Sequence, residues 1–209
     1  RLHSTPELRP QSSFSVNSFN NINQAKKLLF FLIIFLIFLM KYNKKDFCNF
    51  LDQKKIAYQV YNHEPLFTVE QSKEMRGKIS GMHTKNLFLK DKKNNFALLS
   101  CIEDKKIDIK ALRNPLNAKN LSFASNSYLE EILDIKPGSV SPFGLINDSN
   151  KIVNFYLDKD IFNGELVNFH PLENNSTISI TVNSFKNFIN IINVKLNVID
   201  LSVYKIINT

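Results

Sequence analysis

Three short stretches carry residue types that could do chemistry. In the first, Thr84-Lys85-Asn86-Leu87-Phe88-Leu89-Lys90-Asp91, a lysine and an amide open a run in which Leu87 and Leu89 alternate with Phe88 and Lys90. That alternation predicts a half-buried strand. A lysine at the mouth of a strand is held by a rigid element, and its compact charge can meet an anion or a polarised carbonyl. The plain alternative is a surface lysine at a strand end. The second stretch, Pro137-Gly138-Ser139-Val140-Ser141-Pro142-Phe143-Gly144-Leu145, holds two prolines and two glycines in nine residues. Its backbone N–H groups can converge on one point, with Gly144 free to adopt conformations other residues resist. It is a candidate oxyanion hole or anion nest, and equally a candidate ordinary turn. The third, Phe169-His170-Pro171-Leu172, sets a histidine at a strand end before a proline. Asn174 and Thr177 follow closely enough to orient a polar substrate or to satisfy a turn.

Familiar catalytic signatures are missing: there is no G-x-S-x-G elbow, P-loop, G-x-G-x-x-G or H-E-x-x-H. His63-Glu64 lacks a second histidine at helical spacing, and His3, His63, His83 and His170 are scattered. No metal site and no cofactor are expected.

The elements that must position these stretches follow from periodicity and punctuation. Phe47, Phe50 and Leu51 have helical spacing, which predicts a helix over 43–54. Residues 56–61 alternate like a strand, which His63-Glu64-Pro65 ends, because proline removes a donor and restricts Glu64 to extended geometry. Thr68 with Gln71 signals a capped helix to Met75, and 77–81 reads as loop. A hairpin is predicted from 85–90 and 96–101, joined through polar 91–95. Helices are predicted at 108–113, 127–133 and 184–193, and strands at 121–124, 152–157, 165–169, 177–182 and 196–201. Strands and short helices mix without regular βαβ spacing, which predicts an α+β fold with a mixed sheet.

The chain has 209 residues, enough for one domain with an appendage. The first methionine is Met40, and residues 1–39 are rich in Ser and Asn before an apolar run. Residues 1–39 are expected to be a non-native or disordered hydrophobic extension, 40–203 the folded domain and 204–209 a tail. The apolar run 28–40 spans 13 residues between lysines. That is short of the roughly 20 a spanning helix needs, so the rival reading is a signal or anchor segment. Net charge is +8; residues 1–39 carry four basic side chains and one acid, leaving +5 on the remainder. This fits a nucleic-acid partner without requiring one. Cys48 and Cys101 lie far apart with no C-x-x-C spacing, as in a reducing compartment.

Taken in order, the Lys85-Asn86-Leu-Phe-Leu-Lys-Asp run, Leu121-Ser-Phe-Ala-Ser, Gly138-Ser-Val-Ser-Pro-Phe-Gly-Leu and Phe169-His-Pro-Leu resemble the YbaK/prolyl-tRNA-synthetase-associated family, over about residues 44–201. His63-Glu64-Pro65 and Phe67-Thr68 also match, and the nearest branch is that of free-standing Ala-tRNA(Pro) deacylases. The resemblance implies a single domain whose mixed, mostly antiparallel sheet is partly curled into a barrel among short helices. It implies a cytoplasmic hydrolase that removes alanine from mischarged tRNA(Pro), completing a double sieve that the synthetase's own pocket cannot supply. Aminoacylated tRNA(Pro) is the implied partner and prolyl-tRNA synthetase a transient one. No DNA is implied, and no membrane unless residues 28–40 serve as an anchor.

Residue by residue, the resemblance carries catalytic roles to Lys85, Gly144 and His170, and substrate contacts to Asn86, Ser139, Ser141, Pro142, Phe143 and Asn174. It implies water attack aided by the tRNA ribose hydroxyl, with Lys85 anchoring the 3′ end and amides of the Gly144 loop stabilising the oxyanion. Glu173-Asn174-Asn175-Ser176-Thr177 stands where a small or aliphatic residue and then Asn-Thr-Ala-Thr are expected, so Glu173 and Asn175 change the pocket's polarity, and Met82-His83-Thr84 is bulkier than Gly-His-Ala. A Cys-tRNA(Pro)-type or other small-residue deacylase, and a non-catalytic tRNA- or synthetase-binding module, are the alternatives.

Overall fold

The structure, a computed structural model, describes residues 26–30, 41–65 and 79–207. The chain divides into two units, 1–40 and 41–209. In the first, residues 26–30 form an exposed helical turn. The helix predicted from Thr68 to Met75 and the start of the following loop lie outside the described residues.

In the second unit, α1 (Lys44–Gln53) opens where Asn43 accepts a hydrogen bond from the Asp46 N–H at 3.0 Å. This cap satisfies one of the free donors of the first turn. Phe47 and Leu51, four residues apart, bury one face of the helix. The strands are β1 (Tyr58–Asn62), β2 (Met82–Lys90), β3 (Phe96–Ile102), β4 (Ser122–Phe123), β5 (Val153–Asp158), β6 (Leu166–Phe169), β7 (Ser176–Thr181), β8 (Leu196–Asp200) and β9 (Lys205–Ile207). They form one sheet in the order β1-β7-β6-β2-β3-β5-β8-β9, with β4 on β2. The β2/β6, β3/β5 and β5/β8 pairs are parallel and the rest antiparallel. The sheet stays open, with β1 and β9 as its edges, so the expected curl does not reach closure. Helices α2 (Asn126–Leu133), α3 (Lys159–Phe162) and α4 (Val182–Ile191) and the 3-10 turns Ala111–Arg113 and Pro142–Ile146 complete the unit.

Central β3 is buried at six of its seven positions, as a strand covered on both faces must be. Its alternate residues feed two cores. Phe96 and Leu98 join Phe47, Phe143, Phe155, Phe185 and Phe188 on one face, while Ala97, Leu99 and Cys101 join Leu89, Leu112 and Leu121 on the other.

Three stretches depart from the predicted elements. The expected tail at 204–209 instead contributes β9, which pairs antiparallel with β8 through Val198↔Ile207. Three residues are too few to show a period. The helix expected over 108–113 shrinks to a 3-10 turn at Ala111–Arg113, and the irregular stretch after Ser141 winds into a 3-10 turn with Pro142 at its start. Proline suits that position because its missing N–H would have had no partner there.

Candidate functional site

In β2, Lys85 lies opposite Cys101 and Asn86 opposite Ser100. Successive strand residues point to opposite faces, so Lys85 and Asn86 separate. Asn86 turns to the face of the Phe-rich core. There its Nδ2 donates to the Val140 carbonyl at 2.9 Å and its Oδ1 accepts from Ser100 Oγ at 2.6 Å. The amide thus ties β2 to the loop rather than standing beside the lysine.

Lys85 turns to the other face, where its Nζ donates to the Lys105 carbonyl. That carbonyl is itself held in place: Lys105 Nζ pairs with Asp158 Oδ2 at 2.7 Å and Asp160 Oδ2 at 2.6 Å. Burial opposes the charge on Lys105, yet hydrogen bonds and attraction from the two carboxylates outweigh it and raise the pKa. Asp158 is fully buried and also accepts from the Asp160 N–H at 3.2 Å.

The Lys85 face continues across the sheet. His83 pairs with Asn168 in β6, Asn168 with Ser179 in β7, and Ser179 with Gln59 in β1. Residues paired across a ladder share a face. His83, Lys85, Asn168, Thr177 and Ser179 therefore make one polar face, and His170, two residues beyond Asn168, stands at its end. The Ser80 carbonyl accepts from Asn168 Nδ2 at 3.1 Å and from Ser179 Oγ at 3.5 Å. Asn168 Oδ1 is buried with no partner, an acceptor left open on this face.

His170 Nδ1 lies 2.9 Å from the Ser176 carbonyl. A carbonyl only accepts, so Nδ1 carries the hydrogen, an assignment made from the partner. Burial lowers the His170 pKa, the Ser176 carbonyl opposes this, and His63 adds to it. The ring is neutral at pH 7, with its lone pair on Nε2. His63 stands 6.2 Å away, ring to ring. Its Nδ1 donates to the Glu64 carbonyl at 2.8 Å, which in the neutral ring leaves Nε2 to accept from Thr177 Oγ1 at 3.0 Å.

The Gly/Pro loop is packed against the Phe-rich core. Ser141 Oγ accepts from the Phe143 N–H at 3.2 Å and caps the 3-10 turn. Phe143 is fully buried, 4.6 Å from the ring of Phe47 and 5.4 Å from that of Phe169. The Gly144 N–H, expected to face an oxyanion, donates instead to the Ser141 carbonyl at 3.1 Å. Gly144 is there for clearance, because a Cβ would stand 2.3 Å from Ile135 Cδ1 and 3.3 Å from Leu133 Cβ. Ser141, Pro142, Phe143 and Gly144 are all buried, and each caps, starts or packs this turn. The conformational glycine of the loop is the exposed Gly138, at φ +89°. The N–H groups of Gly138 and Val140 meet no backbone carbonyl among the described residues. Ser139 and Asn174 do come together: with Pro137, Leu172 and Glu173 they line a cleft of about 630 Å³ reaching the start of α1.

Sequence reasoning missed Asn168 and the meeting of His63 with Thr177. The signal for Asn168 is a polar residue between Val167 and Phe169, the mark of a strand with one polar face. Neither cysteine offers a thiolate: burial pushes Cys101 up to about 11 and raises Cys48 as well. No group of three or more His, Cys, Asp or Glu among the described residues could hold a metal ion. No described helix is long and apolar enough to cross a membrane.

Comparison with known proteins converges on one family. Residues 63–188 match the model of the aminoacyl-tRNA editing domain. The prolyl-tRNA editing protein ProX of Acetoanaerobium sticklandii is 35% identical over 132 residues, covering 63% of this chain and 80% of its own. The prolyl-tRNA synthetase associated domain-containing protein 1 of Danio rerio is 34% identical over 140 residues, covering 66% of this chain and 76% of its own. The crystal structure of a candidate trans-editing enzyme for prolyl-tRNA synthetase shares the fold, with a TM-score of 0.58 and 17% identity over 78% of this chain and 98% of that one. With the match spanning His63, His83, His170 and the whole lysine-bearing hairpin, the chain belongs to the aminoacyl-tRNA editing domain family, the YbaK/prolyl-tRNA-synthetase-associated group.

Proposed function

We propose that the chain is a trans-editing deacylase that hydrolyses the ester of mischarged Ala-tRNA(Pro). The observation that carries this reading is the polar face shared by Lys85 and His170, one a fixed cation and the other a neutral base. Ester hydrolysis needs a nucleophile, a place for the proton and donors for the tetrahedral oxyanion. With both thiols held protonated, water is the nucleophile, assisted by the ribose hydroxyl of the tRNA. Lys85 leaves the Lys105 carbonyl to grip the 3′ end, and His170 Nε2 orients water or the substrate amine. Free loop amides of Gly138 and Val140, each worth about 3 kcal/mol in such a role, serve as oxyanion donors where the loop, tied to β2 from the Asn86 side, reaches the ester carbonyl past the end of β6. Discrimination is by exclusion: a site that fits alanine and rejects the proline ring removes only what the synthetase misactivates.

The test is to incubate the protein with tRNA(Pro) charged with alanine, cysteine or proline, in parallel with Lys85→Ala. Alanine is expected to be lost quickly, proline to persist, and the variant to be nearly inactive. Faster loss of cysteine than of alanine replaces the amino acid but keeps the chemistry. If all three esters persist with wild-type protein, the enzyme reading fails.

A further inference from the structure

Six residues along β2 from Lys85, or about 20 Å at strand rise, the turn after β2 and the segment around Arg113 enclose a second cleft. It has a volume of about 500 Å³ and is lined by Lys93, Lys110, Arg113 and Lys119, with Asp91 the one acid among its described walls. Asp91 does not cancel these charges from within the cleft. It is buried, its Oδ1 accepts from the N–H groups of Lys93 at 2.7 Å and Asn95 at 2.9 Å, and its Oδ2 accepts from Asn95 Nδ2 at 2.8 Å. The carboxylate is thus spent on folding the turn that presents Lys93. The Lys92 N–H bonds the Lys119 carbonyl at 3.3 Å and ties one wall to the other. None of the four cations forms an ion pair among the described residues, and Arg113 Nε is buried with no hydrogen-bond partner. An unsatisfied guanidinium nitrogen among three unpaired ammonium groups calls for an oxyanion ligand, and a planar fork suits phosphate.

The cleft lies on the same side of the sheet as Lys85. Lys85 Nζ bonds the Lys105 carbonyl at the start of a segment whose Ile107, Ile109, Leu112, Leu116 and Ala118 pack on that face, and the cleft is at the segment's other end. We propose that this cleft grips the phosphodiester backbone of the tRNA whose 3′ end reaches Lys85. The inference rests on the deacylase reading for the identity of the polyanion. Its spread of cations over two walls fits a chain of phosphates several nucleotides from the ester, and phosphate contacts of this kind position without reading sequence.

The experiment measures binding of uncharged tRNA(Pro) by fluorescence anisotropy across a salt series. It compares wild type, the Lys93→Gln/Lys110→Gln/Lys119→Gln triple variant, and a control triple, Lys55→Gln/Lys195→Gln/Lys205→Gln, that removes equal charge elsewhere. The cleft variant is expected to bind about tenfold or more weakly near 100 mM salt, with a salt slope shallower by about 2 to 3, while the control stays near wild type. Arg113→Gln alone is expected to move the slope by about 1. Hydrolysis of alanyl-adenosine, which has no backbone to grip, is expected to be equal in all variants. Unchanged affinity and slope in the cleft variant, or an equal loss in the control, overturns the proposal. So does tighter wild-type binding to inorganic phosphate or anionic vesicles than to tRNA. Wild-type protein that binds tRNA through the cleft but leaves every ester intact sinks the hydrolase reading alone. Hydrolysis without any effect of the cleft variant on tRNA binding sinks the cleft alone.

Discussion

Gly138 and Gly144 sit six positions apart in one loop and obey different constraints. A methyl group at 144 would collide with Ile135 and press on Leu133, so Gly144→Ala is expected to lose about 1–3 kcal/mol of stability in urea titration, with activity falling only as far as folding does. At 138 a methyl group meets only Asn174 Nδ2 at 3.7 Å, but φ is +89°. Gly138→Ala is therefore expected to cost about 1 kcal/mol or more through backbone strain and to depress kcat beyond that loss, because the amides of 138–140 must re-aim. Equal kcat in folded Gly138→Ala and wild type would remove these amides from the mechanism. The same residue scale sets the anchor of Lys85. Lys105→Met leaves Asp158 buried and unpaired, and about 2–3 kcal/mol of stability should go with it; unchanged chemical denaturation would mean that the pair is not needed. The sequence pointed to the Gly/Pro loop but not to which glycine gives clearance and which gives a positive φ, since a contact between Gly144 and Ile135 is a fact of packing that no local pattern carries.

Elements were legible where a period was long enough to read. The α1 helix shows in Phe47 and Leu51, and the 96–101 strand in an apolar run broken only by Ser100; both are found close to where periodicity puts them. Asn43 was legible only as a residue at the start, yet its cap bond is an energetic part of α1. Asn43→Ala is expected to lower stability by about 1 kcal/mol, read as a shift in urea midpoint, whereas Asn43→Ser should stay near wild type. Side-by-side letters misled at Lys85-Asn86, because adjacency in a strand means opposite faces. Three-residue β9 and four-residue α3 are stabilised by neighbours, not by their own propensities, and that information is distributed along the chain.

Across the whole molecule, the neutral ring of His170 makes stability depend on pH. Its folded pKa lies below 6.5, mainly through burial, so the unfolded chain takes the proton first as pH falls. This contribution is complete above about pH 6.5 and is lost as pH drops toward the folded value. Wild type is expected to lose stability between pH 7.5 and 5.5 by more than His170→Asn, whose amide can still donate to the Ser176 carbonyl. Identical losses would assign the dependence to other groups. The net charge of +8 acts at the same scale, raising encounter rates with a polyanion at low salt without choosing where it binds.

The two-sidedness of β2 also sets what kinds of genetic change the protein can survive. Inserting one residue just before Lys85 would exchange the two faces: the ammonium would turn into the Phe-rich core and the amide would leave the Val140 carbonyl. Inserting two would restore the facing at the expense of length. Lineages of this domain should therefore tolerate substitutions here far better than single-residue insertions or deletions. Length changes are expected to collect instead in the polar turn beyond Lys90, where no alternation has to be kept.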